Sequence, residues 1–144
     1  MWNKMGQYYR MINLDKKEVF FIGTLNGAKL GEICDNNSMG LVGLLLRQST
    51  DFGGGDYTLD KKDTFEYNKN ALVGRWAGDR VTLVGDYDNS KIYDESNRYK
   101  NITRHLIKFW NKTTIEEEQY EENEFGWLKK SSIMVRPDMV IQGS

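Results

Sequence analysis

The segment that decides the fold of this chain reads GRWAGDRVTLVGDYD and runs from Gly74 to Asp88. Residues that favour strands fill two arms, 71–76 and 80–87, and the short linker Ala77-Gly78-Asp79 separates them. Gly78 can take the positive φ that a tight turn needs. The pattern therefore predicts a tight β-hairpin at the centre of the fold.

A second hairpin is predicted earlier in the chain, over residues 7–22. Two largely apolar runs flank a polar four-residue turn, Asp15-Lys16-Lys17-Glu18. The arm after the turn, from Val19 to Ile22, is entirely apolar, which is typical of a strand that is covered on both faces.

Helices are predicted in two regions where apolar residues recur at spacings of three and four. The first region, 29–48, is interrupted near Asn36-Asn37-Ser38, so two short helices and one kinked helix both remain open, with Ser38 as the candidate N-cap. Gly40 and Gly43 in this region indicate that another element packs closely against it. The second region runs from about Arg98 to Lys112.

The remaining segments are predicted to be loops, arms or an edge strand. Residues 49–70 include three consecutive glycines and predict a long surface loop, with a short strand at residues 64–67. Residues 116–124 are rich in glutamate and predict a solvated helix or an extended arm. A last strand is expected over residues 132–136, just before Pro137.

Together these elements predict one α+β domain over residues 1–144, with a mostly antiparallel sheet and two or three helices packed on one face. Residues 1–4 and 143–144 are interpreted as disordered or as additions from cloning.

Charge and composition limit the function classes. The 20 Lys and Arg residues against 21 Asp and Glu give a net charge of -1, so no overall field draws the chain to nucleic acid or to an anionic membrane. No apolar run reaches the roughly 20 residues of a membrane span. No phosphate-binding glycine pattern is present, so no cofactor is predicted. We expect a soluble, cytoplasmic protein, and formation of a homo-oligomer stays open.

The chain has one cysteine, Cys34, and one histidine, His105. A single cysteine leaves no internal disulfide, which favours a reducing compartment. Cys34 and His105 are the candidate pair for thiol catalysis, but a lone cysteine on an apolar helical face is more often a small core residue.

The candidate ligand-binding residues are polar groups beside aromatic side chains. Two arginines that flank a turn next to a Trp suit a planar or anionic ligand, because guanidinium groups stack on rings and pair with anions. A second aromatic and basic cluster near the start of the chain is expected to line the same cleft. The full set is Tyr8, Tyr9, Arg10, Arg75, Trp76, Asp79 and Arg80. The competing interpretation makes Trp76 a core residue and the charged groups cross-strand ion pairs.

These observations favour a non-enzymatic binding or interaction module that recognises a small anionic or planar ligand, or a protein partner, through the central hairpin and the loop around Gly53. One alternative is a small metal-dependent phosphoesterase or nuclease in which Asp79, Asp86 and Asp88 hold a divalent cation. Another places a basic macromolecular partner on the acidic run at residues 116–124.

Four motifs carry a resemblance to other sequences. They are Gly6-Gln7-Tyr8-Tyr9-Arg10, Lys29-Leu30-Gly31-Glu32, Trp76-x-Gly78-Asp79-Arg80-Val81 and Val84-Gly85-Asp86-Tyr87. In these motifs the chain resembles a group of small uncharacterised proteins with a G-x-Y-Y-R start and a W-x-G-D-R-V-x-x-V-G-D-Y core. The resemblance reaches to about Tyr93 and implies no activity, so no functional residue is taken from it.

Overall fold

The computed structural model describes residues 6–35, 38–55 and 59–110. Two predicted features, the acidic run at residues 116–124 and the last strand at 132–136, lie outside the described residues, as does Asn37. Within the described ranges, no helix is both long and apolar enough to cross a membrane.

A four-stranded sheet forms the centre of the described structure. Its strands are β1 (Tyr9–Asn13), β2 (Glu18–Phe20), β3 (Val81–Gly85) and β4 (Lys100–Asn101). They lie side by side in the order β3-β1-β2-β4. β1 pairs antiparallel with both β2 and β3, whereas β4 runs parallel to β2. The mixed sheet with its helices confirms the predicted α+β class.

The first predicted hairpin is confirmed, but its turn lies one residue earlier than expected. Met11 pairs with Phe20 and Asn13 pairs with Glu18, so Glu18 is the first residue of β2 and not the last of the turn. The chain reverses over residues 14–17, where Lys17 takes a positive φ of 55°. Glu18 therefore shares a sheet face with Phe20, and both side chains are buried.

The helices are α1 (Gly23–Asn26), α2 (Leu30–Cys34), α3 (Ser38–Leu46), α4 (Ile92–Glu95) and α5, which covers residues 103–110. The break predicted near Asn36 is confirmed, because α2 and α3 are separate. Ser38 is the predicted N-cap of α3. In the structure it is the first helical residue, one position after the cap, and its side chain is buried. Gly40 faces the Trp110 ring, as close packing predicted, whereas the space beside Gly43 is open.

Each face of the sheet is covered by its own apolar cluster. On one face, Met11 and Phe20 pack with buried residues of α2, α3 and α5 and with Trp76. On the opposite face, Ile12 and Val19 pack with the half-buried side chains of α4 and its neighbours. This division follows from the alternation of side chains along a strand.

The predicted central hairpin is wrong in its first arm. β3 forms as expected, but it pairs with β1, and residues 71–76 do not lie beside it. They belong to a series of turns, in which the Arg75 amide donates to Leu72 and the Ala77 amide donates to Gly74. Gly74 and Gly78 take positive φ angles of 77° and 79°, which reverse the chain twice where a strand would stay extended.

The end of α3 provides the physical reason for this difference. The Gly74 amide donates to the Leu44 carbonyl at 2.8 Å, and the Trp76 amide donates to the Leu45 carbonyl at 2.9 Å. The last carbonyls of a helix have no partner inside the helix. Residues 74–76 supply those partners while they place Trp76 in the core, where its exposure is 0%.

The second predicted helix begins later than its apolar pattern suggested. Residues Lys100–Asn101 form β4, and α5 starts at residue 103, where the Thr103 amide donates to the Asn101 side chain at 2.9 Å. Tyr99 packs on the α4 side of the sheet, whereas Ile102 packs on the α5 side. Tyr99 and Ile102 therefore lie on opposite faces of the sheet.

Residues 49–55 and 59–70 contain little regular structure, as predicted. One turn of 3-10 helix occurs at Lys61–Asp63, and the short strand expected at residues 64–67 is reduced to a single bridge between Thr64 and Val73.

Candidate functional site

A buried carboxylate fixes the turn segment to the sheet. Glu18 is 3% exposed and accepts hydrogen bonds from Nε of Arg75 at 2.9 Å and from its Nη2 at 2.5 Å. The indole Nε1 of Trp76 donates to the same carboxylate at 2.7 Å. We call Glu18, Arg75 and Trp76 the Glu18 clamp.

The charge of Glu18 is fully engaged by its neighbours. Burial by itself would raise the pKa of this carboxyl, but the hydrogen bonds from Arg75 and Trp76, with the charges of Arg75 and Lys100, outweigh burial and lower the pKa. Arg75 also donates to the Lys69 carbonyl at 2.8 Å. The two clamp residues that were predicted to meet a ligand, Arg75 and Trp76, therefore hold the fold together.

Asp79 is held in the same way at the other end of the turn. It accepts a hydrogen bond from Nδ2 of the fully buried Asn13 at 2.9 Å and pairs with Lys16 Nζ at 2.5 Å. Burial acts to raise the pKa of Asp79, but the hydrogen bonds from Lys16 and Asn13 outweigh it, and the pKa is lowered.

Arg80 lies at the surface beside the first hairpin. Its amide donates to Asp15 at 2.7 Å, and its Nε donates to the same carboxylate at 2.8 Å. The backbone and side-chain hydrogen bonds from Arg80 lower the pKa of Asp15. The Arg80 side chain is 74% exposed, whereas that of Arg75 is 13% exposed. Of the two predicted arginines that form ion pairs, Arg80 is therefore the more accessible.

The predicted single cleft does not form, because Arg10 of the first cluster lies on the face of the sheet opposite Arg75 and Trp76. Arg10 stacks on Phe21 and on Tyr93, with guanidinium carbon to ring centroid distances of 4.8 and 4.0 Å. It also donates to Ser96 at 2.9 Å. Tyr9 points to the Trp76 side of the sheet.

Tyr8 remains exposed beside the edge strand β3. Its amide donates to the Asp86 carboxylate at 3.0 Å, and the Asp86 amide donates back to the Tyr8 carbonyl at 2.9 Å. The backbone bond between Asp86 and Tyr8 extends the pairing of β1 with β3 by one step.

The three candidate metal ligands have separate partners. Asp79 pairs with Lys16, Asp86 with Tyr8, and Asp88 accepts from the amide of Ser90 at 2.9 Å. Across residues 6–35, 38–55 and 59–110, no three His, Cys, Asp or Glu side chains are grouped so that they could hold a metal ion. Cys34 is exposed on α2 and does not lie in the core.

A groove of about 320 Å³ lies beside the turn segment. It is lined by residues 47–50 after α3, by residues 64–66 of the loop, and by Val73, Gly74 and Ala77. We call it the turn groove. Its lining combines the half-buried Phe65 ring, the Arg47 guanidinium and the hydroxyl groups of Ser49, Thr50 and Thr64.

Phe65 also carries three cations around its ring. Lys69 Nζ lies 4.4 Å from the ring centroid, Lys16 Nζ lies 5.1 Å away, and the Arg75 guanidinium lies 5.3 Å away. Contacts of this kind attract a cation to the ring face. Phe65 thereby connects the turn groove to the Glu18 clamp.

Sequence reasoning did not identify Phe65, Arg47 or Glu18. Phe65 and Arg47 gave no local signal, because they come to the same groove only when the loop folds over the end of α3. Glu18 did give one: it lies two positions before the core residue Phe20, and that parity on a strand places a carboxylate on the buried face.

No protein-family model, curated protein or solved structure matches this chain.

Proposed function

We propose that this protein is a non-enzymatic binding module whose ligand, a small planar molecule with a negative charge, occupies the turn groove. The observation that carries the proposal is the combination of an aromatic ring, a guanidinium group and three hydroxyl groups along one groove of about 320 Å³. That volume lies at the lower end of the range of small-molecule sites, roughly 300 to 1,000 Å³.

The chemistry of the lining supports a planar ligand. The ring of Phe65 offers a flat apolar surface on which a planar group can stack. The Thr50 hydroxyl can donate to the polar edge of such a ligand. The hydroxyls of Ser49 and Thr64 already donate to the carbonyls of Asp51 and Lys61, so their oxygens can accept from the ligand. A site with one aromatic surface and a few polar groups is the usual composition of small-molecule pockets.

The charge near the ring supports a negative ligand. Lys16 is paired with Asp79, and Arg75 is paired with Glu18. Lys69, by contrast, makes no ion pair with any carboxylate of the described residues, and its ammonium group lies over Phe65. An anion stacked on Phe65 would be attracted by this ammonium group, and the carboxylate of Glu66, which also lines the groove, would act against that attraction.

The rigidity of the wall supports a binding role. Gly74 and Ala77 line the groove, and the Glu18 clamp fixes the residues between them through buried hydrogen bonds. A wall that is already held in place costs little conformational entropy when a ligand binds.

An NMR titration with benzoate, the simplest planar carboxylate, and a panel of larger aromatic carboxylates tests the proposal. We expect saturable shifts of the amide signals of Ser49, Thr50 and Gly74. Phe65→Leu should weaken binding at least severalfold, because base or ring stacking on an aromatic side chain contributes about 1–3 kcal/mol. Tyr67→Leu is the matched control, since Tyr67 lies on the same loop but does not line the groove.

Equal affinity in the Phe65→Leu variant and in the unchanged protein would overturn the proposal. So would the absence of a saturable shift with every planar carboxylate, and in that case shifts of the same residues on addition of a protein partner would favour the interaction module. We propose the cytoplasm as its location, which the single cysteine supports.

A further inference from the structure

A second group of cations lies at the opposite end of the clamp, beside the edge strand β4. Lys100 of β4 is the pairing partner of Glu18 across the sheet, and paired residues project from the same face. His105 and Lys108 follow on α5, three positions apart and therefore on one side of the helix. We call Arg75, Lys100, His105 and Lys108 the β4 cation cluster.

Glu18 is a carboxylate that lies beside this cluster, and it is already paired with Arg75. Glu18 accepts hydrogen bonds from Arg75 and Trp76, as described above. Lys100 and Lys108 are exposed, and within the described ranges neither makes an ion pair with a carboxylate. Within the part of the chain that the structure describes, the ammonium groups of Lys100 and Lys108 therefore act on His105 without a paired carboxylate.

His105 reports how the charges are arranged around it. Partial desolvation lowers the pKa of its imidazole, and the positive charges of Arg75, Lys100 and Lys108 lower the pKa further. His105 lies in the first turn of α5, where the helix dipole adds partial positive charge. Among the described residues, the charged groups that shift the pKa of this imidazole are all cations.

We propose that the β4 cation cluster binds the phosphate groups of a soluble di- or polyphosphate ligand. Lysine ammonium groups bind phosphate as point charges, and the start of a helix favours the same anions. A ligand with two or more negative charges matches Lys100 and Lys108 better than a single carboxylate does, since Arg75 is already paired with Glu18. None of the four residues lines the turn groove, so this site stands independently of the binding function proposed above.

The histidine provides a direct measurement, because His105 is the only one in the chain. Its imidazole signal can be followed by NMR as a function of pH in the whole protein. Without ligand we expect a pKa below the ordinary value of 6.5. Sodium chloride screens the repulsion and should move the pKa toward that value but not beyond it.

Inorganic pyrophosphate at the same ionic strength should act differently. A bound anion favours the protonated imidazole, so the pKa should rise above 6.5 in a saturable manner. By linkage, a rise of one pKa unit means about tenfold tighter binding of pyrophosphate to the protonated form. Sulfate and adenosine diphosphate are the two comparison ligands. Sulfate, which does not titrate in this range, tests for a free inorganic anion as the preferred source of the charge, and adenosine diphosphate tests for a nucleotide.

Lys100→Gln should change two quantities in opposite directions. Removal of one repelling charge should raise the pKa of His105 in the free protein, and the same change should weaken pyrophosphate binding severalfold. Lys91→Gln is the matched control, because it removes one exposed lysine next to α4, on the other face of the sheet. Lys91→Gln should leave both quantities unchanged.

Three outcomes would overturn the proposal. The first is a pKa response to pyrophosphate no larger than that to sodium chloride. The second is unchanged pyrophosphate binding in Lys100→Gln. The third is a pKa already above 6.5 in the free protein that falls when Glu116, Glu117 and Glu118 are changed to Gln, since the chain's own acidic run would then occupy the cluster.

Discussion

One carboxylate, that of Glu18, connects the edge of the sheet with the turn that forms a wall of the groove. Its partners Arg75 and Trp76 are consecutive residues, so two side chains of one short segment converge on the same pair of oxygens. A buried ion pair by itself contributes little net stability, but removal of one partner leaves the other charge buried and uncompensated. The clamp therefore fixes the position of residues 75–76 relative to β2.

Glu18→Gln should strongly destabilise the fold. The Arg75 side chain is 13% exposed and would lose its countercharge, for which we expect a loss of about 3–5 kcal/mol in the free energy of unfolding. Urea denaturation followed by Trp fluorescence measures it. The control, Glu66→Gln at an exposed position, should change stability by less than about 0.5 kcal/mol. Similar losses in both variants would contradict the role of the clamp.

Stability should fall with pH in two stages. The folded pKa of His105 lies below its ordinary value of 6.5, and those of Glu18 and Asp79 lie below 4.5 and 3.8. In each case the unfolded chain binds the proton more tightly, so stability is present above the ordinary pKa and is lost as the pH falls through the folded one. We expect a small decrease below about pH 6.5 and a larger one below about pH 4.5.

Denaturation curves measured from about pH 8 to about pH 3 test both stages, because this range extends roughly one unit beyond the highest and the lowest of the ordinary pKa values. His105→Asn should remove the upper stage and leave the lower one. A profile that stays flat down to pH 3 would show that the carboxylates have ordinary pKa values in the folded protein.

At the scale of elements, the turn segment 74–79 differs from a hairpin arm because of where α3 ends. The amides of Gly74 and Trp76 bind the last carbonyls of α3, and a strand at this position would leave those carbonyls without partners. Gly74 makes the approach possible, because a Cβ added there would lie 2.8 Å from the Arg47 carbonyl oxygen.

Gly74→Ala should therefore destabilise more than Gly78→Ala. The two glycines have nearly equal φ angles, 77° and 79°, so both substitutions carry the cost of a left-handed alanine, about 1–2 kcal/mol. Only Gly74 adds a backbone clash, since nothing lies within 4 Å of a Cβ at Gly78. The difference between the melting temperatures of the two variants measures the effect of the close contact between residue 74 and the Arg47 carbonyl after α3. Equal melting temperatures would contradict it.

At the scale of the whole molecule, the sheet is assembled from distant parts of the sequence. β1 pairs with β3 about seventy residues later and with β2 only a few residues later. It is flanked on both sides and covered on both faces, by the Met11 cluster and by the Ile12 cluster. β4, by contrast, is a two-residue strand at one edge, and both of its residues are exposed.

Amide hydrogen exchange should be slowest in the central strand β1 and faster in the exposed segments. The amides of β1 should exchange most slowly, because they open only when the whole domain unfolds. The amides of residues 49–55 should exchange fastest among the described residues, because that segment has no regular structure. NMR-detected exchange measures each site. Protection of residues 49–55 equal to that of β1 would contradict the described arrangement.

Local patterns in the sequence determined the fold class, the first hairpin, the break between α2 and α3, and the strand at residues 81–85. Each of these depends on residues that are close in sequence: a polar turn between apolar runs, or apolar residues at one period. Val84 and Leu83 are adjacent on β3, so the alternation of side chains along a strand places them on opposite faces, and the two apolar clusters agree with that placement.

Only the tertiary structure decided where β3 pairs, why residues 71–76 turn, and what Arg75, Trp76, Asp79 and Arg80 bind. Pairing partners and helix-end carbonyls come from segments far away in the chain, so no local pattern encodes them. The charged groups of Arg75, Arg80 and Asp79 form ion pairs with Glu18, Asp15 and Lys16, respectively, within the fold. For Arg75 and Asp79 the physical reason is burial, because a charged group beside a core must be paired within the fold. Arg80, which is 74% exposed, pairs with Asp15 at the surface.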